Sequence, residues 1–443
     1  MAVAHLLATT ASLHYAPFIK ELFHTLLTDS WCEVSSSRAI EFVEGEADIA
    51  VEKLVPYETR SEQGIFFTAD DITIKLVGLL SAEIAAEKTF FDPSCGAGNL
   101  LLGVAKTYPI KKTLDHTIEY WGRKFGGCDL HDSFVVAAKL RLIALAAIRH
   151  GLPSISEGQL SIFLSCFDRF YTCDYLERNV GGEFDCVIAN PPFGHVIASD
   201  ENNWSSGKTQ LAAIFVDKVL ATGKLGQKLV AILPDVLRSG SRYERWREKL
   251  EKETNNGLVD LHGRFSKNVD VDVFILSLIK QHSSFAQEIQ WVPLAVDEAD
   301  SVTVGDLFTV RVGPVVPHRL DEGEEGFPFL CAKNAPAFGV AFPKEIINFS
   351  GTKFVPPFVV VRRTSNPCDK NRLVTTLVKG TEPVAVENHL IVMKPLKGGV
   401  TSCLKLIKAL KDPRVTSRLN DVIRCRHLTT KSVSSMVLQG VKF

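Results

Sequence analysis

"KTFFDPSCGAGNLLLGVAK", residues 88–106, decides the fold. A short apolar run ends in Asp92, Gly96 and Gly98 follow, and apolar residues then recur at helical spacing, which predicts strand, tight loop and helix. A second such unit follows: "KFGGCDL" (124–130) is a strand ending in Asp129, and "SFVVAAKLRLIALAAIRHG" (133–151) is a helix closed by Gly151. "FYTCDYL" (170–176) predicts a third strand reaching Asp174, "FDCVIA" (184–189) a fourth, and "TQLAAIFVDKVLATG" (209–223) a helix closed by Gly223. "QKLVAILP" (227–234) is a fifth strand, "SRYERWREKLEKE" (241–253) a polar helix, and "DVDVFILSLIK" (270–280) a long buried strand. Strands alternating with helices mean an α/β fold, a doubly wound and mostly parallel sheet.

The flanks differ from this centre. Apolar Ile19, Leu22, Phe23, Leu26 and Leu27 at helical spacing predict helices up to about residue 55, and "ITIKLVGLLSAEIAAE" (72–87) predicts one more. After about 285 the pattern changes: "SVTVGDLFTVRVG" (301–313) reads as strands around a turn. "FVPPFVVVRRTSNP" (354–367) and "PVAVENHLIVMKP" (383–395) each predict a strand, and 401–423 is helical. The expected organisation is therefore an N-terminal helical segment (1–58), a central α/β domain (59–285) and a smaller C-terminal α+β domain (300–443).

With 443 residues, 46% of them hydrophobic and 23% charged, the chain can bury a sizeable core unaided. Ten cysteines form no C-x-x-C pair, so buried free thiols are expected and no metal site. No basic leader precedes an apolar stretch and no 18 apolar residues run together, which excludes a membrane span and points to a reducing cytoplasm. The net charge of −1 conceals an acidic stretch from 281 to 350 and a basic one after 351, where the tail becomes a candidate polyanion surface.

In an open parallel sheet ligands bind beyond the carboxyl ends of the strands, and those ends carry Asp92, Asp129, Asp174 and Asn190. Gly96 and Gly98 let the backbone approach a ligand at a helix N-terminus. The loop lacks both the G-x-G-x-x-G spacing and the Lys-Ser/Thr of a phosphate loop, which weakens a case for NAD or ATP. An acidic residue closing the second strand, Asp129, suits ribose hydroxyls. The fourth strand stops at "NPPFG" (190–194), a rigid turn that exposes an amide beside an aromatic ring.

"FFDPSCGAGNLL", "GGCDL" and "IANPPFG", in that order, resemble the S-adenosylmethionine-dependent N6-adenine DNA methyltransferase family in its gamma-type arrangement. Upstream, "GIFFTADDITIKLV" (64–77) is similar to the family's G-x-F-F-T-P motif, with Ala69 in place of the proline. The resemblance covers roughly residues 60 to 280 and implies a Rossmann-like class I methyltransferase fold with S-adenosyl-L-methionine as cofactor. It implies that Phe67 and Thr68 hold the methionine end of the cofactor, and that Asp92, Pro93, Gly96 and Gly98 lie beneath its amino-acid part. It gives the ribose to Asp129 and the adenine amino group to Asp174, with Asp168 as the alternative. Asn190, Pro191, Pro192 and Phe193 would be catalytic: Asn190 Oδ1 and the Pro191 carbonyl accept protons of the target amine, and Phe193 stacks on a flipped-out base. Phe265 is a second candidate wall of the base pocket.

The C-terminal residues loosely resemble a target-recognition domain of restriction-modification systems, in which Arg362, Arg363, Arg372, Arg424, Arg426 and His427 would contact DNA phosphates or bases. Double-stranded DNA is the implied partner, with room for a companion restriction endonuclease or specificity subunit and no membrane. No P-D-x(n)-E-x-K pattern precedes residue 60, so a fused nuclease is not expected. Methyltransferases of RNA bases or of protein glutamine share N-P-P-aromatic and are the alternative, as is a non-catalytic nucleic-acid-binding subunit.

Overall fold

The computed structural model describes residues 15–27, 31–63, 65–66, 68–199, 202–266, 269–281, 287–293, 302–317 and 325–438. By its contacts the chain divides into two compact units, Met1–Leu237 with Arg245–Ile289, and Arg238–Glu244 with Gln290–Phe443.

The first unit is built on strands β1 (Phe90–Asp92), β2 (Phe125–Asp129), β3 (Phe170–Thr172), β4 (Cys186–Ala189), β7 (Lys228–Pro234), β8 (Thr254–Arg264) and β9 (Asp272–Lys280). They form one seven-stranded sheet in the order β3-β2-β1-β4-β7-β9-β8, and only β9 runs antiparallel to its neighbours. The expected mostly parallel α/β sheet is thus the one observed. Strand order reverses between β1 and β4, and that switch point is where a crevice opens. A short antiparallel pair, β5 (His195–Ile197) and β6 (Lys208–Gln210), lies directly after the turn that ends β4.

Helices α1 (Ala16–Leu26), α2 (Glu33–Glu44) and α3 (Glu46–Leu54) are not set apart from the sheet. They share one hydrophobic core with it, because α6 (Asp132–Arg149) is apolar on nearly every side and cannot bury that surface on the sheet alone. Tyr15 meets Phe134 of α6 edge-on with ring centroids 5.1 Å apart, and Phe18 meets Phe42 in the same way at 5.2 Å.

The structure differs from the sequence reading in several places. The helix expected over 72–87 is two, α4 (Asp70–Gly78) and a short one at Ser81–Ala85. Strand β3 ends at Thr172, two residues short of Asp174, which falls in the following turn. Strand β8 was not expected: "TNNGLVDLHGR" is an edge strand, half-buried and broken by two register shifts against β9, so it lacks the apolar run of a central strand. All ten cysteines are free, and of them Cys95, Cys128, Cys186 and Cys403 are buried whereas Cys32 and Cys368 are exposed.

In the second unit, β10 (Phe308–Val312), β12 (Val340–Ala341), β14 (Phe358–Arg362), β15 (Thr375–Val378) and β17 (Leu390–Pro395) make a five-stranded sheet in the order β10-β17-β14-β15-β12. A second sheet has the order β13-β11-β16, from β11 (Gly326–Leu330), β13 (Ile346–Asn348) and β16 (Ala385–Val386). Val359 and Val361 of β14 pack with residues of α8 (Gly399–Leu410) and α9 (Pro413–Val422), while Phe358 and Val360 pack on the other side with Leu330 and Val386. The period of two along "FVVV" feeds two cores at once. Arg372 does not serve as a phosphate contact: it is fully buried, and its guanidinium donates to Ser365 Oγ, Asn420 Oδ1 and the carbonyls of Ile423 and Cys425. A cation so enclosed is a tether for the chain after α9. Among the described residues of the whole chain, no helix is long and apolar enough to cross a membrane.

At the amino-terminal end of β4, Asp185 Oδ2 accepts from Thr89 N at 3.0 Å and Thr89 Oγ1 at 2.9 Å, and Lys224 Nζ donates to Oδ1 at 2.7 Å. Burial alone would raise this carboxyl, but Lys224 and Thr89 outweigh it and hold it at about 2. A depressed carboxyl stabilises the fold above its unfolded value near 4 and stops doing so as pH falls through the folded one. We therefore expect Asp185→Asn to cost about 1–2 kcal/mol at neutral pH and progressively less as pH falls from about 4 towards about 2, as read by urea titration of both proteins.

Candidate active site

Beyond the carboxyl ends of β1, β2 and β4 lies a cavity of about 370 Å³. Asp92, Pro93, Gly96, Asp129, Asp174, Asn190 and Pro192 line it, together with Thr68 and the apolar Ile65, Leu100 and Phe134. Pockets of this size with a few convergent polar groups are typical small-molecule sites. Asp168 is exposed and does not line it, whereas Asp174 does, with Oδ1 accepting from Leu176 N at 2.8 Å.

The glycine loop shapes the floor. Gly96 (φ 49°) and Gly98 (φ 87°) both adopt left-handed backbone, which a Cβ would disfavour. Gly96 N donates to Asp129 Oδ2 at 3.0 Å and His131 N donates to Oδ1 at 2.9 Å, so two backbone amides fix that carboxylate. Gly98 is not a lining residue. It lets the start of α5 (Asn99–Thr107) press on α6, since a Cβ there would sit 3.0 Å from Ala138 Cβ.

Asp92 is almost completely buried, with Oδ1 accepting from Ser94 N at 3.0 Å. Burial, helped by the nearby Asp129, pushes its carboxyl up to about 8. Burial likewise raises Asp129, against the opposing pull of its amide donors. Two carboxyl groups under one cavity carry an electrostatic cost that a cationic ligand would relieve.

Asn190 is held by its nitrogen. Nδ2 donates to the Phe66 carbonyl at 3.1 Å and to Thr68 Oγ1 at 3.0 Å, and Ser94 Oγ donates to the Asn190 carbonyl at 3.2 Å. A carbonyl can only accept, so Phe66 O assigns which end of the amide is nitrogen and leaves Oδ1 as its acceptor. Among the described residues no donor bonds to that oxygen or to the Pro191 carbonyl. Pro191 itself is buried. Phe193 is half-buried outside the cavity and stands perpendicular to Phe265, with ring centroids 5.3 Å apart.

Phe67 lies outside the described residues; its neighbour Phe66 supplies the carbonyl and a lining surface instead. Ala69 has φ −65°, the angle that a proline would impose, so its replacement of the motif's proline leaves the chain path unchanged. The sequence reading missed Phe66, Ser94, Asn99, His195 and Val196 as site residues. Ser94 and Asn99 stand inside the quoted glycine motif and could have been found there; a backbone carbonyl such as that of Phe66 has no sequence signal. The pair β5 and β6 brings in His195 and Val196, and its connection is pinned by Trp204 Nε1 donating to Asp217 Oδ2 on α7 (Leu211–Thr222), a carboxylate that also takes Lys249 Nζ at 2.8 Å.

Residues 137–265 match the Eco57I restriction-modification methylase family, a segment that holds Asp174 and Asn190 to Phe193 and excludes Asp92 and Asp129. No curated protein matches the chain. Among solved structures, the type IIL restriction-modification enzyme MmeI, in complex with DNA, is 12% identical with a TM-score of 0.54, covering 88% of this chain and 70% of that one. A Listeria monocytogenes protein assigned to the class I S-adenosylmethionine-dependent methyltransferases is 18% identical over 57% of this chain and 72% of its own, with a TM-score of 0.40. A type I restriction enzyme modification subunit from Vibrio vulnificus YJ016 is 16% identical with a TM-score of 0.37, over 53% of this chain and about half, 48%, of its own. The likeness to MmeI is one of fold and spans most of the chain.

Because the folded Asp92 carboxyl titrates near 8 and an unfolded one near 4, its burial costs nothing below about pH 4, costs more as pH rises, and costs most above about pH 8. Asp92→Asn keeps the acceptor for Ser94 N and removes that cost. Its melting temperature is expected to exceed the wild type's at pH 8 and to approach it at about pH 4, as read by calorimetric scans.

Proposed function

We propose that the protein transfers a methyl group from S-adenosyl-L-methionine to the N6 amino group of a flipped-out adenine in a specific duplex DNA sequence. The observation that supports this most is the orientation of the Asn190 amide, held by Nδ2 with Oδ1 left to accept, in a cavity also lined by the buried Asp92 and half-buried Asp129 carboxyl groups. The cofactor suits the cavity by charge: Asp92 and Asp129 match its ammonium and its ribose hydroxyls, and Asp174 its adenine amine. When bound, the cofactor supplies an electrophilic methyl group on a sulfonium.

The chain's own residues do the rest by alignment. An adenine amine is a poor nucleophile because its lone pair is delocalised into the ring. Asn190 Oδ1 and the Pro191 carbonyl accept hydrogen bonds from its two N–H groups, which favours a pyramidal nitrogen and aims the lone pair; one of those protons is lost to solvent once the nitrogen is methylated. Proline locks φ and brings no competing N–H. Extruding the base costs a few kcal/mol, and stacking on Phe193 returns about 1–3 kcal/mol. Phe265 fixes the plane of that ring. The C-terminal domain reads the DNA, and the protein works in the cytoplasm, where its substrate is.

Labelled cofactor incubated with duplex DNA, RNA and protein tests the reading. Label is expected as N6-methyladenine in DNA, and Asn190→Ala is expected to slow transfer about a hundredfold or more; label in RNA or protein alone would overturn it.

In the C-terminal domain, Leu428 N donates to Arg363 O and Ser365 N to Arg426 O, which brings exposed Arg362, Arg426 and His427 to one edge. We assign phosphate contacts to Arg362 and Arg426. Replacing each with alanine is expected to weaken binding uniformly across sequences and to lower the slope of log affinity against log salt by about 1 per residue. Unchanged slopes in filter-binding titrations would move the DNA surface elsewhere.

A further inference from the structure

Asp48 stands on α3, outside the cavity lining, yet a chain of hydrogen bonds leads from it into the site. Asn99 Nδ2 donates to Asp48 Oδ1 at 2.8 Å and to the Thr68 carbonyl at 3.3 Å. Thr68 in turn accepts Asn190 Nδ2 on its Oγ1. The direction of each link is fixed by chemistry. Arg141 Nη1 donates to Asn99 Oδ1 at 2.6 Å, and a guanidinium only donates, so the other end of that amide is nitrogen. Arg141 is fully buried; its Nη1 also donates to the Ala97 carbonyl at 2.6 Å and its Nε to the Phe42 carbonyl at 2.7 Å. It therefore ties α2, the glycine loop and Asn99 into one frame.

We propose that Asp48 is a positioning residue for this site, acting through Asn99 on the Thr68 backbone and through Thr68 on the Asn190 amide. Asn99 has two donor hydrogens and two acceptors, Asp48 and Thr68, that draw them in set directions. Without Asp48 the amide keeps Arg141 on Oδ1 and only the 3.3 Å bond to Thr68 on Nδ2, and it can tilt about its last torsion, which is soft. Thr68 then loses its fixed partner, and Asn190 is left to its bond with Phe66. The helices at the start of the chain thus belong to the site in function as well as in packing. The cofactor part of the test rests on the function proposed above; the amide part does not.

The experiment compares Asp48→Ala with Asp48→Asn in the full chain labelled with 15N-asparagine. The two variants lose the same charge and differ in whether an acceptor faces Asn99. In Asp48→Ala the side-chain amide resonances of both Asn99 and Asn190 are expected to move, and affinity for S-adenosyl-L-methionine in calorimetry to fall about tenfold. In Asp48→Asn the Asn190 resonance is expected to stay and affinity to remain within about twofold. An unmoved Asn190 resonance in Asp48→Ala overturns the proposal, as does an Asp48→Asn protein that behaves like Asp48→Ala. A wild type that fails to bind the cofactor sinks the cofactor assignment, while the amide resonances still decide the role of Asp48.

Should Asp48→Ala not fold, a swap decides. Asn99→Asp sets two carboxylates face to face; adding Asp48→Asn restores a hydrogen bond between 48 and 99 but leaves the Thr68 carbonyl without its donor. The double variant is expected to recover melting temperature over Asn99→Asp while the Asn190 resonance stays displaced. Its return to the wild-type position would overturn the proposal.

Discussion

The anchoring of the Asn190 amide by its nitrogen is the constraint on which the site depends. Phe66 and Thr68 accept hydrogen bonds from its two N–H groups, and Ser94 donates to the Asn190 carbonyl, so two separate loops close on one residue at the end of β4. An amide turned the other way would set its oxygen against the Phe66 carbonyl, a contact between two acceptors. A strand that merely stopped at a proline would need none of these ties. The rigid turn "NPPF" therefore serves two ends: it terminates the ladder, and it presents a carboxamide oxygen and a backbone carbonyl as acceptors.

Electrostatics works against the fold at the same place. Asp92 is buried with a single backbone donor to Oδ1 and Asp129 close by, and both carboxyl groups are pushed above the usual carboxylate range. Asp185, at the opposite end of the sheet, shows how the same residue type behaves when the fold uses it for stability: a lysine and a threonine hold it low. Carboxyl groups perturbed at a cost to stability are a pattern found at binding sites. The cost is carried by the core beneath, where α6 lies between the sheet and the first helices.

The glycine loop, the aspartates at strand ends and the N-P-P-F turn were legible in the sequence, because each depends on residue type at a local position. Strand β8 and the pair β5 and β6 were not. Edge and surface strands carry mixed polarity, and their pairing is settled by partners far along the chain, such as β9 for β8. Arg372 shows the same limit for charge: a basic stretch reads as surface, but one of its arginines is enclosed by carbonyls from the end of α9, and no count of charges could single it out.

The sequence by itself determined the alternation of strand and helix, the mostly parallel sheet and the residues that stand at the carboxyl ends of its strands. These follow from hydrophobic period and from glycine and proline chemistry, which act over a few residues. Only the tertiary structure decided that Asp174 and not Asp168 faces the cavity, that Phe66 contributes a carbonyl, and that Asp48 and Arg141 reach the site through Asn99. Hydrogen bonds between groups 42 to 124 positions apart have no local signature, since their geometry exists only once the core has brought their elements together.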